Sequence, residues 1–286
     1  MNIKIVMLIS MVFQTFLFAE KELHHDHLGE TNVKLNYEFL DFENSKKKTD
    51  GKRYGIEFDH QDKRHHYQLY YEKSDTKTTA LLPIDLEVHK YALKYSYALK
   101  PKNHLTLSYI SIDDNIMKET DGGHIYGLGY KYKALTLTQY LSDYENFNVY
   151  QTDIKLGMKK KFNDFTLMIG IIAKYIRLQN KESNNFTKKA NTEYFTTGLK
   201  LHVDYEDYHA SVGTYQGTRI FAVMNDGLRV QHHSMEFQNS YFFDVGKKID
   251  KLELHLRYAR HNAKEVPIGN DGVRVETVAF EVGYAF

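Results

Sequence analysis

The sequence predicts an all-β chain closed as a transmembrane antiparallel up-and-down β-barrel of about 14 strands, with about 12 as the alternative. Three observations carry that expectation. The chain ends Val278-Ala279-Phe280-Glu281-Val282-Gly283-Tyr284-Ala285-Phe286, apolar or aromatic at every second position through a terminal Phe. Successive strand side chains point to opposite faces, so this segment has one apolar face and one small or polar face. The other end has the pattern of an export signal. Between them the composition is polar, with 26% charged residues. A barrel reconciles a polar chain with a membrane destination, because only alternate residues face lipid.

The export pattern is specific. Lys4 gives a positive start, and Ile5 to Phe18 is apolar apart from Ser10, Gln14 and Thr15. Leu17-Phe18-Ala19 resembles a small-residue cleavage site. This apolar run is too short for a membrane-spanning helix, which needs about 20 residues. The expected organisation is therefore a signal peptide (1–19), a short His-rich periplasmic tail (20–30) and a barrel (31–286). With this signal at one end, Val278, Phe280, Val282, Tyr284 and Phe286 resemble the C-terminal assembly signal of Gram-negative outer-membrane β-barrels of the porin-like superfamily. The resemblance implies export to the bacterial outer membrane, lipid contact and handling by the barrel-assembly machinery. It names no solute.

The strands follow in order. Val33, Leu35, Tyr37 and Phe39 begin the first; Tyr54, Ile56 and Phe58 mark the second; Tyr67, Leu69 and Tyr71 the third. Tyr91 to Tyr97, Leu105 to Tyr109, Tyr126 to Tyr132 and Leu135 to Leu141 alternate likewise, and Tyr150 to Met158 gives the eighth. The ninth, Phe165 to Ile171, is apolar in both phases, because Met168, Ile172 and Ile176 occupy the other one. Period alone leaves a buried helix open there. Phe195 to Val203, Tyr208 to Val212, Met235 to Val245, Leu252 to Tyr258 and the terminal segment complete the set. Gln139 and Asn239 fall on the apolar phase and mark bulges or interface positions.

The connections alternate in length. Even ones are short, as at Lys133-Ala134, and most odd ones are long, as at 179–190. Short periplasmic turns and longer outer loops are the expected asymmetry of such barrels. Asp50-Gly51, Asp121-Gly122, Asp226-Gly227 and Asp271-Gly272 all fall in odd connections, where Asp-Gly suits tight turns. Pro83, Pro101 and Pro267 are expected in connections, where they cost no ladder bond.

If the apolar phase faces lipid, the other phase lines the bore. The expected lining residues are Glu38, Arg53, Glu57, Lys94, Asp153, Lys155, Lys174, Lys200, Glu236, Glu253 and Arg257. Both signs occur in similar number, which predicts weak ion selectivity. Opposite charges can also pair and close the interior, and the sequence leaves these two outcomes equally open. One outer connection is unusual. Thr218 to Met224 is apolar, Asn225-Asp226-Gly227 turns, and Leu228-Arg229-Val230 returns. Read as an extracellular hairpin over 218–230, it projects or folds over the mouth and offers a binding surface. Packing against neighbouring loops is the plainer reading.

The chemistry is sparse. There is no cysteine, so disulfides and thiolate chemistry are excluded, and no cofactor is indicated. Near-balanced charge, 38 Lys plus Arg against 37 Asp plus Glu, argues against nucleic acid as partner. His24, His25 and His27 form a candidate metal cluster in the tail. His60, His65 and His66, and the pair His232-His233, read as polar residues near interfaces. His233-Ser234 are consecutive on a strand and face opposite sides, and Ser211 with His209 lacks an evident orienting acid. No Gly-x-Ser-x-Gly elbow or His-Glu-x-x-His motif occurs. The expected function is a porin-like channel for passive diffusion of small hydrophilic solutes or ions, and not an enzyme. A non-conducting binding or scaffold barrel comes second and an outer-membrane hydrolase third. A homo-oligomer is compatible with the sequence.

Overall fold

The computed structural model describes residues 29–116, 119–183, 185 and 187–286. The expected signal peptide and the cluster His24, His25 and His27 lie outside the described residues. Sixteen strands follow one another: β1 (Glu30–Glu43), β2 (Lys48–Asp62), β3 (His65–Thr78), β4 (Leu86–Lys100), β5 (Asn103–Asp114), β6 (His124–Tyr132), β7 (Leu135–Tyr144), β8 (Phe147–Lys161), β9 (Phe165–Gln179), β10 (Glu193–Tyr205), β11 (Tyr208–Gly217), β12 (Val223–Met224), β13 (Arg229–Val230), β14 (Met235–Ile249), β15 (Leu252–Glu265) and β16 (Asn270–Ala285). Fourteen of them form one closed antiparallel barrel, and β12 and β13 pair separately. The barrel and the higher strand count are as the sequence predicts.

Closure removes every sheet edge, which is what a strand structure in lipid requires. The terminal strand supplies it. β16 pairs with β1, with Tyr284 opposite Val33 and Phe280 opposite Tyr37. The last residue still contributes, as Phe286 N donates to Thr31 O at 2.9 Å.

The two ends of the barrel differ. At one, the turn end, neighbouring strands join through two or three residues, β1 begins and β16 ends. Lys102, Lys133, Glu206 and Asp250 take positive φ in those turns. The opposite, loop end carries most of the longer connections. All three prolines sit in connections. The Asp-Gly expectation holds only in part. Asp121-Gly122 and Asp226-Gly227 turn, but Asp50-Gly51 lies inside β2 at a pairing shift, and Asp271-Gly272 lies inside β16. A bulge in β14 falls between Phe237 and Ser240, at the misfit Asn239. Gln139 faces outward and donates to Thr152 Oγ1.

Eight of the fourteen wall strands have 14 or 15 residues, as β1 and β2 do. A membrane crossing needs only about 9–11. The surplus builds a second storey of opposite polarity. Toward the turn end the outer wall is apolar, with Leu35, Ile56, Leu93, Leu128, Leu199 and Phe280 exposed. Tyrosines pack with tilted rings across neighbouring strands on that wall, as at Tyr71–Tyr91 and Tyr67–Tyr95 with centroids 5.2 and 5.1 Å apart. Such rings, apolar with a polar tip, suit a membrane interface. Toward the loop end the outer wall turns polar. Lys73 pairs there with Glu87 at 2.8 Å and Arg274 with Glu43 at 2.5 Å.

The inner wall inverts in the opposite sense. It is charged toward the turn end and apolar toward the loop end, where Leu40, Phe42, Leu86, Val88, Ile110, Ile112 and Ile176 are buried. β1 shows the change within one strand. Leu35, Tyr37 and Phe39 point out; after Phe39 the apolar residues are Leu40 and Phe42, which point in.

Candidate functional site

β11 leaves the wall at Gly217, and the chain rejoins it at Met235. The segment between them does not project from the molecule. It folds into the bore. Ile220, Phe221 and Ala222 are completely buried, and Val223, Leu228 and Val230 nearly so. This corrects the expectation of an extracellular hairpin with an exposed apolar surface over 218–230; the segment packs, as the plainer reading has it, but against the inner wall as well as loop residues such as Ala190. The physical reason is the inverted storey. The inner wall at the loop end is apolar, so an apolar hairpin is better placed there than in water. Phe221 packs at 5.2 Å from the Phe147 ring and 5.8 Å from that of Tyr144, with Ile110, Ile112, Ile125 and Ile176 in the same cluster. Each such side chain contributes about 1.5–3 kcal/mol on burial.

The hairpin pairs Val223 with Val230 and Met224 with Arg229. Its tip, Asn225-Asp226-Gly227, has three successive positive φ angles of 51°, 51° and 87°. Gly227 meets a second demand, because a Cβ there would lie 2.2 Å from Ser108 Oγ. A side chain at position 227 would therefore meet Ser108. At the entrance, Arg219 is fully buried. Its Nε donates to Gln231 Oε1 at 3.1 Å and its Nη2 to Ser240 Oγ at 2.8 Å, with the guanidinium 4.8 Å from the Tyr215 ring. At the exit, Ser234 Oγ donates to the Glu119 carboxylate. Burial pushes that carboxyl up, and the Ser234 bond opposes the shift.

A polar belt at mid-height holds the hairpin from several walls. On one side, Gln151 Nε2 and Lys174 Nζ donate to Val223 O at 2.8 and 2.9 Å, while Val223 N donates to Gln151 Oε1 at 2.8 Å. On another, Lys90 Nζ donates to Val230 O at 3.3 Å. Arg229 reaches Glu38 at 3.0 Å and Glu72 at 3.4 Å. Glu38 and Glu72 in turn take Arg53, and Glu72 takes Lys90 at 2.9 Å. Lys155 pairs with Asp226 at the tip.

Below the belt, the bore has two unlike sides. Along β1 and β14–β16 the charges neutralise one another. Lys34 lies 3.5 Å from Glu253 and 3.6 Å from Glu281, and Arg257 bonds Asp244 and lies 3.3 Å from Glu281. On the β3–β9 side a cavity of about 140 Å³ lies under the hairpin tip. Its lining includes Lys63, Arg64, Lys94, Lys131, Lys133, Lys155 and Lys159, with only Asp62 and Asp226 as acids. Small residues leave the space, among them Ser96, Gly127 and Gly129.

Of the lining residues expected from the sequence, Glu38, Arg53, Glu57, Lys94, Asp153, Lys155, Lys174, Lys200 and Arg257 are buried on the inner face. Glu253 stands at the turn-end rim, with its side chain 37% exposed. Glu236 is apart from the rest. It lies on the loop-end side of the β14 bulge, which changes the phase, and it accepts from Tyr194 Oη at 2.6 Å. Glu72, on the same lumen-facing phase, also holds the hairpin, whereas Arg219 and Arg229 hold it from within and were not among the expected lining residues.

The histidines also settle into networks. His60 bonds Thr31, His65 bonds Tyr95 and His66 bonds Asp59. His232 and His233 are buried inside the loop-end storey, not at an interface, and His233 Nδ1 lies 2.7 Å from Lys48 Nζ. Ser211 does have a histidine and an acid, but the histidine is His202. It lies opposite Ser211 on β10, with Nδ1 2.6 Å from the hydroxyl and Nε2 2.7 Å from Asp204. Continuous ladders on both sides of β11 use the backbone N–H groups that would have to hold an oxyanion. His202 and Ser211 are buried, the Asp204 side chain is 41% exposed, and the trio forms a polar network.

No protein-family model matches this sequence, and no curated protein matches it. Solved structures do match. One described as a bacterial polysaccharide outer membrane secretin aligns over 90% of this chain and 98% of its own, at 7% identity and a TM-score of 0.57. The fold is that of a bacterial outer-membrane β-barrel. Omp33 of Acinetobacter baumannii aligns over 90% and 99% at 8% identity and a TM-score of 0.48. OccK8 (OprE) of Pseudomonas aeruginosa aligns over 90% and 98% at 11% identity and a TM-score of 0.44. At these identities the likeness is one of fold.

Proposed function

We propose that this barrel resides in the bacterial outer membrane and serves as a channel for passive diffusion of small hydrophilic solutes or ions, with hairpin 218–234 as its constriction. The observation that carries the reading is the basic cavity under the hairpin tip, open space lined by seven Lys or Arg and two acids. A purely structural filling would leave neither the space nor the excess of one sign. Because Lys155 is paired with Asp226, the net field is moderate, and the expected selectivity is weak with a preference for anions. The short turns then face the periplasm and the polar storey stands outside the cell. Lipid covers the apolar wall between them.

Bilayer recording tests this. The refolded barrel is expected to give small steps. Replacing residues 219–233 by a short Gly-Ser linker is expected to raise conductance several-fold. Lys94→Gln with Lys131→Gln is expected to shift the reversal potential in a salt gradient toward cations. One observation favours a second reading, a non-conducting scaffold barrel: the loop-end storey is filled by hairpin side chains. Silence from both the intact and the linker variant, each verified as folded, would overturn the channel and leave the scaffold. Location has its own test. Phe286→Ser is expected to lower outer-membrane levels of heat-modifiable protein, because the assembly machinery would lose the terminal aromatic residue. Unchanged levels would remove the C-terminal signal.

A further inference from the structure

Across β11, β14 and β15, near the turn end, His209 lies opposite Gly246, and Gly246 lies opposite His255. Three neighbouring strands thus place two imidazoles on either side of a residue without a side chain. They close over it, with His209 Nε2 2.9 Å from His255 Nδ1. A Cβ on Gly246 would sit 1.9 Å from His209 Nε2, so the approach depends on glycine at this position. Two residues along β14, Asp244 faces the same space. Its Oδ2 takes Arg257, and its Oδ1 lies 3.6 Å from His255 Nδ1. The three ligand atoms fall within 4.8 Å of one another.

From this geometry we infer that His209, His255 and Asp244 form a binding site for a first-row divalent transition cation such as Zn²⁺, Cu²⁺ or Ni²⁺ at the turn-end mouth of the barrel. Tetrahedral ligation at about 2.0–2.1 Å places neighbouring donor atoms about 3.3 Å apart. The nitrogen pair and the His255–Asp244 pair bracket that value, so small side-chain rotations suffice. Two imidazoles and one carboxylate select these cations over Mg²⁺ and Ca²⁺, which prefer oxygen. The outer contacts match a ligand role. His255 directs Nε2 at Glu253 Oε1, 3.3 Å away, as ligating histidines commonly do toward a carboxylate. Arg257 fixes Asp244 by its other oxygen. His209 is only half-buried, so solvent reaches the remaining coordination position. The site is separate from the channel reading and stands or falls without it.

The test uses the refolded mature barrel carrying His24→Ala, His25→Ala and His27→Ala, so that the tail contributes nothing. Titration calorimetry with Zn²⁺, and absorption spectroscopy with Co²⁺ as the visible probe, are expected to show one site per chain and no response to Mg²⁺. His209→Ala and His255→Ala should each weaken binding at least about tenfold. Gly246→Ala should weaken it too, although it removes no ligand, because the methyl displaces the His209 ring. If a variant loses heat-modifiable mobility, the Co²⁺ spectrum of the tail-substituted parent decides, since imidazole ligation is visible there directly. No Zn²⁺ heat and no Co²⁺ bands in that parent would overturn the site and leave a hydrogen bond between the two rings. Binding that survives both histidine substitutions in folded protein would equally overturn it.

Discussion

The two storeys of this barrel are built from the same strands and obey opposite rules. On the proposed reading the outer wall of the turn-end storey meets lipid, and there Leu35, Leu128 and Phe280 face out and charges face in. In the loop-end storey the outer wall faces water, so Lys73, Glu87 and Arg274 face out and Leu86, Ile110 and Ile176 face in. An apolar inner wall needs something apolar to meet it, and the chain supplies Ile220, Phe221 and Val223. A charged inner wall needs counter-charges or open space, and below the belt it has ion pairs on one side and a cavity on the other. The hairpin is thus the hydrophobic core of the upper storey as much as it is an obstruction of the bore. The belt from Glu38 to Lys174 is where the two rules meet.

If that is right, the largest single-residue effects should come from the belt and the hairpin. Arg229 is buried against Glu38 and Glu72. Arg229→Met leaves two buried carboxylates short of a partner, and breaking such a pair costs about 3–5 kcal/mol. The expected readout is a lower urea midpoint for gel mobility, together with protease cleavage in the loop-end storey. Adding Glu38→Gln should recover part of the loss. A midpoint equal to the parent's would mean the belt does not hold the hairpin. Phe221→Ala should cost about 3–5 kcal/mol as a core cavity. Its damage should stay in the upper storey, so the lower strands should keep their amide-exchange protection. Uniform loss of protection would show that the storeys are one cooperative unit.

Next in size is a charge placed on the lipid wall. Leu128→Arg puts a guanidinium on the exposed outer face of β6, where the expected cost is about 2–4 kcal/mol if the position lies near the bilayer midplane. Refolding into bilayers of different thickness, with the unfolding midpoint as readout, checks it. A negligible cost would place Leu128 outside the hydrocarbon and move the boundary between storeys toward the turn end.

Much of this architecture is legible in the sequence, and the part that is not has a physical cause. Alternation located the wall strands other than the ninth, because an apolar outer face opposite a polar inner one makes a strict period of two. It lost the loop-end halves of several strands because the period continues there with its phase reversed. In β3 the apolar run ends at Tyr71, so 74–83 reads as a loop, yet the strand continues to Thr78 with Ser74 and Thr76 turned inward. The inward hairpin left two marks that belong together. One is the apolar run 218–224 in an outer connection; the other is the doubly apolar ninth strand, whose Ile172 and Ile176 join the cluster around that run. Pairing them requires knowing that the upper bore is apolar. The cluster of His209, Asp244 and His255 left no mark, since only strand register brings those three positions together.

The smallest expected effect gives the comparison its sharpest control, because it uses the same pair of residue types in both storeys. Lys73 is on the outer face of β3 above the tyrosine ring, paired with Glu87 across to β4. Leu93 is on the outer face of β4 below it, 45% exposed. If the storeys differ as argued, Lys73→Leu meets water on both sides of the change and loses only a screened surface ion pair. It should leave the unfolding midpoint and the outer-membrane yield at parental values. Leu93→Lys meets lipid and should lower both, because an ammonium there must be desolvated or pull water into the bilayer. The readout is the midpoint of each single variant and of the double. Additivity is expected, since the two residues face different solvents. Equal sensitivity at Lys73 and Leu93 would place both in one environment, and the inversion of polarity along these strands would then have to be abandoned.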